Sequence, residues 1–415
     1  MQKLILIIIV VSLHNSLFAQ KRDRYRFAET YFGLEAEFNP QDNTFQSFEN
    51  GELNSGSTPS TLSPRVLIGG THFWGHADFY VSLPLTNFRL NGSKKVFHTN
   101  GVLTGFRFLP FKLEGNSLKP FVGVGFNSKT LRIDEGPLYT NWQWYYEGGL
   151  NYRNANNRIF GLELRYFPKA SYQTYIDRSQ SVATNLDQLT LSFSYKKAID
   201  YSRNSGTEKY QRFYKRMKKD LRERKKLNTY SIGLGANALI PLAKTEHASR
   251  KAFFNDEIEG KVTVDLGLAY FIHNWNAAAR LSYRPLRQAE EAHDYRYRLD
   301  RHSLALETFK FIGNYHGFVP FIGPYVSADY FRLKEKDQGK VVTDIHRREI
   351  GYGIVFGWDI RFSETDPLIL RTNLRYNPDY NFTQDGLSFT AKNIEFNFIQ
   401  VVIYPERFKS MKKLN

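Results

Sequence analysis

The side chains best suited to chemistry in this chain are histidines that lie close to acidic residues. His72 and His76 are four residues apart and near Asp78, and such a group could bind a divalent metal ion. A third ligand is missing, however, and histidines beside turns are usually only solvated, so we predict no metal site there. Loop polarity accounts for two similar pairs, namely His293 with Asp294 and Asp344 with His346.

Motifs of known catalytic sites are also missing from the sequence. It contains no G-x-S-x-G, no H-E-x-x-H, no P-loop and no C-x-x-C, and it has no cysteine at all. We therefore predict no catalytic residue, no cofactor and no bound metal, and we expect a protein that is not an enzyme.

The elements that must position any site are β-strands, because polar and apolar residues alternate along many runs of about ten residues. Val264, Leu266 and Leu268 alternate with Asp265 and Gly267, for example. Long and short connections also alternate, as they do in transmembrane β-barrels. The predicted long loops lie near residues 39–63, 86–100, 134–141, 171–186, 242–260, 286–302, 334–347 and 377–391.

The strand pattern occurs twice, in the same order. Three short sequences return about 200 residues later: Pro120-Phe121-Val122-Gly123 as Pro320-Phe321-Ile322-Gly323, Arg165-Tyr166 as Arg375-Tyr376, and Pro84-Leu85 as Pro285-Leu286. This internal repeat predicts a tandem duplication of a unit of about eight strands. The expected units are residues 20–199 and 229–404, separated by a linker at 200–228 and followed by a C-terminal tail at 405–415.

The N-terminus predicts export. Lys3 precedes an apolar stretch at Leu4–Leu13, and Leu17-Phe18-Ala19 resembles a cleavage site, so residues 1–19 are expected to be a signal peptide. The apolar stretch is too short to span a bilayer as a helix. Together with a 16% aromatic content, which suits the interfacial girdles of barrels, this places the predicted protein in the outer membrane, where its lipid is a partner.

The linker between the repeats is predicted to be a basic helix on the periplasmic side, because an even number of strands returns the chain there. It could contact anionic lipid or another envelope protein, whereas nucleic acid is not an expected partner despite the net charge of +16. Its predicted basic face consists of Lys209, Arg212, Lys215, Arg216, Lys218, Lys219, Arg222 and Arg224.

Charged residues at the inward positions of the strands define the candidate site. A Lys or Arg facing lipid at the midplane would cost about 2–4 kcal/mol, so these charges must face the lumen. The second repeat adds Glu307 to them. The predicted lumen network comprises Glu35, Glu37, Asp78, Arg107, Glu147, Glu163, Arg165, Asp265, Arg280, Arg284, Asp359, Arg361, Arg371 and Arg375.

On this pattern, each half of the chain resembles the small OmpA/OmpX-like outer-membrane β-barrels, here duplicated in tandem. The resemblance covers residues 29–197 and 229–404 and rests on strand rhythm without a diagnostic motif. It implies closed eight-stranded barrels with roles in adhesion, envelope integrity or complex assembly. The chain continues after its last strand as Pro405–Asn415, which departs from the family's usual terminal aromatic residue.

Two architectures and three functions remain open from the sequence. The fold is predicted to be all-β, with about 16 strands in two eight-stranded barrels or, alternatively, in one 16-stranded barrel. Two barrels would hold the charges as a plug and suit a structural or interaction role through the outer loops and the basic helix. One wide barrel would be a porin-like diffusion channel. A lipid-modifying or proteolytic barrel enzyme is the least favoured function, and the oligomeric state is not predicted.

Overall fold

The computed structural model describes most of the chain from residue 29 to residue 414, and the predicted signal peptide at 1–19 lies outside the described residues. The described part contains 23 strands and two helices. The residues that are not described are 1–28, 41–43, 50–51, 58, 73–74, 91–95, 114, 134–137, 169–170, 176, 187, 201–207, 243–250, 252, 254–261, 313–316, 362, 379–380, 385–386, 391 and 415.

The first half forms a ring of eight antiparallel strands. Its first strand pairs with both the second and the eighth strand of the ring, which closes the sheet. In chain order the ring consists of β1 (Glu29–Asn39), β4 (Thr61–His72), β5 (Ala77–Pro84), β7 (Val96–Phe108), β8 (Ser117–Ile133), β9 (Tyr139–Arg153), β10 (Arg158–Tyr166) and β13 (Leu189–Asp200). The short strands between them are β2 (Thr44–Glu49), β3 (Glu52–Ser57), β6 (Phe88–Arg89), β11 (Ser171–Tyr175) and β12 (Ser181–Asn185).

The second half forms a separate closed barrel of eight antiparallel strands. The strands of this barrel are β14 (Thr229–Pro241), β15 (Thr263–Ile272), β16 (Ala277–Ala292), β17 (Tyr295–Phe311), β18 (Gly317–Asp337), β19 (Lys340–Arg361), β20 (Leu368–Asn377) and β23 (Asn393–Ile403). A hairpin of β21 (Asn381–Gln384) and β22 (Leu387–Thr390) lies between the last two. The all-β prediction with two eight-stranded barrels is confirmed, and the chain does not form one 16-stranded ring.

The repeated sequence motifs occupy equivalent places in the two rings. Pro120 and Pro320 both lie in the fifth strand of their ring, and Arg165 and Arg375 both lie in the seventh. Pro84 ends the third strand of the first ring, and Pro285 lies in the third strand of the second. This agreement fits the predicted internal repeat, although the duplication itself stays a prediction.

Two predicted loops of the second half are wrong. Residues 286–302 and 334–347 were expected to form loops, but β16 continues to Ala292, β17 begins at Tyr295, β18 continues to Asp337 and β19 begins at Lys340. Both hairpins therefore extend far beyond the neighbouring strands, and we call this part of the sheet the outer extension (residues 286–302 and 331–347). Short turns at 293–294 and 338–339 end it, with positive φ at all four residues.

In the outer extension, the apolar residues occupy the inward positions of the strands, whereas in the rest of the barrel they occupy the outward positions. Leu304 and Leu306 of β17 are about half exposed on the outside of the barrel, as lipid-facing residues would be. Beyond His302 the apolar residues of the same strand, Tyr297 and Leu299, point inward instead. They pack in a buried cluster that also contains Phe253, Ala292, Tyr295, Phe331 and Leu333. The extension is thus stabilised as a two-sided sheet above the apolar band.

The exterior of both rings is apolar and their interior is polar. Leu164, Leu191, Leu268 and Leu281 are each about half exposed, whereas the charged residues at alternate positions are buried. This inside-out pattern is the one that a strand crossing hydrocarbon requires. Neither helix of the described part is long and apolar enough to cross a membrane.

Both helices lie at the end of the second barrel that is opposite the outer extension. α1 (Glu208–Glu223) leads into β14, and α2 (Pro405–Leu414) follows β23. This second helix covers residues 405–414 of the predicted C-terminal tail, and it was not predicted from the sequence. α2 packs against α1, so the two helices form one unit beneath the second barrel.

Candidate functional site: two charged interiors and a basic helix

A network of ion pairs fills the middle of the first barrel. Arg165 lies 2.5 Å from Glu35, 2.9 Å from Glu37 and 2.7 Å from Glu163, measured between guanidinium nitrogens and carboxylate oxygens. Arg107 lies 2.7 Å from the same Glu163. Because Glu163 is shared between Arg107 of β7 and Arg165 of β10, the network ties together strands that are not neighbours in the ring.

Tyrosine hydroxyls extend this network. The Tyr80 hydroxyl lies 2.9 Å from both carboxylate oxygens of Glu147 and 2.7 Å from the Tyr145 hydroxyl. Arg107 donates to Glu147 at 3.0 Å through Nε and 3.1 Å through Nη2, and its guanidinium lies 3.9 Å from the centre of the Tyr80 ring. Aromatic rings and ion pairs therefore fill the cross-section together.

The second barrel is filled in a similar way, with Glu307 at the centre. Its carboxylate lies 3.1 Å from Arg280 and 3.4 Å from Arg284, and it also pairs with Arg375. Asp265 accepts a second bond from Arg280 at 2.5 Å. Three arginines thus share one glutamate, an arrangement that offsets their burial only while all partners remain in place.

Further ion pairs lie above and below this centre. Toward the outer end, Arg301 lies 2.6 Å from Glu395 and 3.0 Å from Asp329. Toward the helices, Arg371 donates to both oxygens of Asp359 at 2.6 and 3.0 Å. The second barrel is therefore crossed by charged layers from its outer end to its inner end.

All fourteen residues of the predicted lumen network lie inside the barrels, and none is more than 5% exposed. Glu307, which the sequence reading added, is fully buried at the centre of the second interior. Arg361 differs from the others: it stacks on Phe311 at 4.6 Å and has no ion pair in the described part of the chain. Other buried interior charges were missed, namely Arg65, Lys129, Lys196, Arg301, Asp329 and Glu395.

One cross-strand pair has opposite polarity in the two barrels. Asp78 of the third strand lies opposite Arg107 of the fourth strand in the first ring. In the second ring Arg280 of the third strand lies opposite Glu307 of the fourth. Both rings thus have an ion pair between the third and fourth strands, but the acidic and the basic residue have exchanged strands. The two interiors are therefore not copies of each other.

Amide side chains line one wall of the second interior. Asn237 of β14 and Gln400 of β23 lie close to the seam between these strands, and the amide N and O atoms of both are buried without a hydrogen-bond partner in the described part. Gly233 and Gly235 leave room for this wall, because an added Cβ there would lie 2.9 Å from Gln400 and 2.6 Å from Asn397. This wall is the least satisfied polar surface that we find inside the barrel.

The third site is the helix pair, which Asp220 holds together. This buried carboxylate of α1 accepts hydrogen bonds from Lys413 Nζ at 2.8 Å, Ser410 Oγ at 2.6 Å and Arg224 Nε at 2.9 Å. Bonds from Lys413, Ser410 and then Arg224 lower the pKa of Asp220 to about 2. Lys218 Nζ also donates to Glu364 of the turn before β20 at 2.7 Å, which attaches α1 to the barrel.

The predicted basic face of α1 divides into two groups. Lys218 and Arg224 are used for attachment, since Arg224 also lies 3.1 Å from Glu406. The remaining residues of the predicted face are exposed, and these are Lys209, Arg212, Lys215, Arg216, Lys219 and Arg222. The helix therefore presents a fixed row of positive charges at the end of the second barrel that is opposite the outer extension.

The histidines considered for metal binding are not brought into a metal site. His72 is buried, and His76 Nδ1 lies 2.9 Å from the carbonyl oxygen of Leu109. In the described part, no group of three or more His, Cys, Asp or Glu side chains could hold a metal ion. The predicted absence of a metal stays a prediction for the whole chain.

Comparison with known proteins gives likenesses of fold at low identity. Neisserial surface protein A is 14% identical, with 42% of this chain and 96% of that chain covered and a TM-score of 0.31. An outer membrane channel from Pseudomonas putida F1 is 12% identical, with 91% and 96% covered and a TM-score of 0.21. OmpT, an outer membrane protein of Vibrio cholerae, is 8% identical, with 91% and 98% covered and a TM-score of 0.17. No protein family and no curated protein sequence matches the chain.

The fold and its surfaces define the class of protein. The chain is an all-β, transmembrane-type protein in which two eight-stranded antiparallel rings follow one another, each with an apolar exterior and a charged interior. The likenesses above are too low to transfer a function or a partner.

Proposed function

We propose that this protein lies in the outer membrane and has a structural or interaction role without catalysis, in which the barrels hold α1 at the periplasmic face. The apolar exteriors of the barrels support the membrane location, and the predicted signal peptide supports export. The ion pairs that cross both interiors support anchoring over transport, because they occupy the space that a wide pore would need.

The observation that carries the proposal is the fixed position of α1. Asp220 joins it to α2, and Lys218 joins it to Glu364 of the second barrel. Six exposed basic side chains remain on the helix, and a partner of opposite charge near such a surface gains about 1 kcal/mol per basic residue. We infer that α1 binds an anionic component at the periplasmic face of the envelope.

A photocrosslinking experiment in the intact envelope tests this proposal. We would replace Arg216, in the middle of the exposed row, by a photoreactive amino acid and determine the mass of the crosslinked species. The same replacement at Lys412, an exposed basic residue of α2, is the matched control. We expect a specific adduct from position 216 that disappears when Lys209, Arg212, Lys215 and Lys219 are changed to Gln. An adduct that survives this neutralisation, or no adduct, would contradict the proposal.

A second candidate is a narrow channel, which replaces the wide 16-stranded porin of the alternative prediction. The observation in its favour is the amide wall at Asn237 and Gln400, whose polar atoms could contact water passing along the β14–β23 seam. Single-channel recording of the refolded protein in planar bilayers tests it. Stable ohmic steps that change when Gln400 is replaced by Leu would favour the channel, and a folded but silent protein would favour anchoring.

A further inference from the structure

The outer extension carries a groove on its outward face that neither candidate function uses. The groove has a volume of about 440 Å³ and lies across β16, β17 and β18. Four of its lining side chains are basic: Arg296 and Arg298 from β17, and Lys334 and Lys336 from β18. Glu290 and Glu291 line it as well, so the charges of the lining sum to two positive.

The strand register places these cations directly opposite one another on β17 and β18. Arg298 is the direct cross-strand partner of Lys334, and Arg296 is the direct partner of Lys336. Like charges directly opposite each other destabilise a sheet. Two such pairs in succession are therefore unfavourable unless an anion lies between them.

The charges of the protein itself only partly compensate these pairs. Arg296 lies 2.7 Å from Glu291, and Arg298 lies 2.7 Å from Asp300, which also pairs with Arg287. Lys334 lies directly opposite Asp344 of β19, but that carboxylate pairs with Arg332. In the part of the chain that the structure describes, neither Lys334 nor Lys336 has a carboxylate within ion-pair distance. Two of the four basic side chains in the groove therefore form no ion pair with the described part of the protein.

The groove lies just beyond the apolar band of the second barrel, on its outer side. Below it on the same outward face, Tyr283 and His302 form a hydrogen bond at 2.7 Å, and Tyr330 and His346 form another across β18 and β19. Such rows of aromatic side chains occur where a barrel meets the lipid headgroups. Arg298 lies four residues beyond His302, or about 13 Å along the strand. The basic groove thus stands just outside the membrane interface.

The outward face is also the one left free for a ligand. The inward face of the outer extension is covered by its own buried cluster, against which Tyr175 of the first barrel packs. The outward face instead continues directly from the lipid-exposed residues Leu304 and Leu306 below it. A molecule bound there would touch the bilayer and the groove at the same time.

We propose that this groove binds the phosphate-bearing headgroup of a lipid in the outer leaflet, with Arg296, Arg298, Lys334 and Lys336 as its binding residues. This inference rests on the proposed membrane location. The phosphate oxygens accept hydrogen bonds from the two arginines and the two lysines, and the bound anion separates each like-charged cross-strand pair. The acyl chains lie on the apolar band below.

The test uses the full-length mature protein in nanodiscs of a zwitterionic phospholipid. The probe is a glycolipid with two phosphate groups, and its dephosphorylated form and inorganic phosphate are measured beside it. The variant is R296Q/R298Q/K334Q/K336Q. The control K225Q/K226Q/K409Q/K412Q removes four exposed positive charges at the other end of the second barrel, outside both the groove and the basic row of α1.

We expect the groove variant to bind the phosphorylated glycolipid roughly a hundredfold to a thousandfold more weakly, and the control to bind it like the wild type. Without the glycolipid, the groove variant should melt at the same or a higher temperature, because the like-charge pairs are gone. Equal binding by the groove variant overturns the inference, and so does inorganic phosphate that competes as well as the glycolipid.

Protease protection of the strands, measured in the same nanodiscs, separates this inference from the proposed function. Protected barrels that do not bind the glycolipid overturn the inference alone. Barrels that remain unprotected in the bilayer overturn the membrane location and, with it, the lipid site.

Discussion

Arg178 of the first barrel and Asp337 of the second barrel form a bidentate pair, with Nη2–Oδ1 at 2.6 Å and Nη1–Oδ2 at 3.2 Å. Arg178 lies between β11 and β12, and its Nη2 also donates to the carbonyl oxygen of His293 at 2.7 Å. A second contact joins the barrels on their apolar exteriors, where the rings of Phe79 and Trp358 are 5.5 Å apart. The two barrels therefore touch at two levels, and the outer contact is polar.

Replacing Arg178 by Ala should release the β11–β12 hairpin from the second barrel. We expect limited proteolysis of residues 171–185 to become about twofold to fivefold faster, since exposed ion pairs contribute modestly. Arg332→Ala is the matched control, because Arg332 forms a similarly exposed bidentate pair with Asp344 inside one barrel. Equal acceleration by both variants would show that the hairpin is not held by Arg178.

The same pair predicts a pH dependence. The hydrogen bond from Arg178 lowers the pKa of Asp337 below its ordinary value. A carboxylate with a lowered folded-state pKa stabilises the contact above its unfolded pKa of about 3.9, and this stabilisation is lost as the pH falls through the folded value. Proteolysis of the wild-type hairpin should thus accelerate only below about pH 4. In Arg178→Ala this acid step should be much smaller.

Asp220→Asn should loosen the contact between α1 and α2 without unfolding the barrels. The substitution removes the charge that accepts bonds from Lys413, Ser410 and Arg224, and hydrogen bonds to charged groups contribute about 1.5–3 kcal/mol each. Hydrogen exchange of the α2 amides should therefore become at least about tenfold faster. Glu223→Gln is the control, since among the described residues the ion pair of Glu223 is an exposed contact with Lys219 at 3.9 Å. Unchanged hydrogen exchange in Asp220→Asn would show that Asp220 does not hold α2 against α1.

Two buried arginines of the second barrel should respond differently to truncation. Arg371→Ala leaves the carboxylate of Asp359 buried and unpaired, so we expect a loss of about 3–5 kcal/mol in the free energy of unfolding. Arg361→Ala removes a buried cation that has no ion pair in the described residues, so its cost should be much smaller. Denaturant unfolding in detergent measures both. Similar losses for the two variants would contradict the pairing, as would a failure of Arg371→Leu/Asp359→Leu to recover stability.

The alternation of residues predicted the barrels and the inward charges well, because lipid outside and charge inside impose a strict period of two. It failed at residues 286–302, where Tyr297 and Leu299 point inward and Arg296 and Arg298 point outward. Apolar residues face inward there, as they do in a soluble sheet. A prediction that requires apolar residues on the lipid-facing side therefore assigned the segment to a loop. The reversed phase itself was the signal that could have revealed the outer extension.

The interior partners were harder to predict than the inward positions. Period two shows that Arg280 and Glu307 point inward, but it does not show that Arg284 and Arg375 share the same glutamate across the barrel. That choice depends on the register of all eight strands and on the room that glycines leave. The α1–α2 contact was missed for a related reason, since Asp220 and Ser410 are 190 residues apart.

A glycine inside the first barrel provides the last prediction. Gly125 of β8 lies under the ring of Tyr145, and an added Cβ would be 2.0 Å from Tyr145 Cζ and 2.2 Å from its hydroxyl oxygen. Gly125→Ala must therefore push the ring away and disturb its hydrogen bond to Tyr80, which in turn contacts Glu147. We expect a loss of about 1–3 kcal/mol in the free energy of unfolding, the usual cost of overpacking.

Gly148 offers a matched control on the neighbouring strand. Its Cβ position alternates with the inward side chains of Tyr145 and Glu147, and the nearest atom would be 3.8 Å away. Gly148→Ala should thus leave stability unchanged or raise it, because alanine restricts the unfolded chain. Denaturant unfolding of both variants, with tyrosine fluorescence as the probe, compares them directly. If Gly125→Ala costs no more than Gly148→Ala, the tyrosine is not packed on the strand and the interior of the first barrel is looser than its ion pairs require.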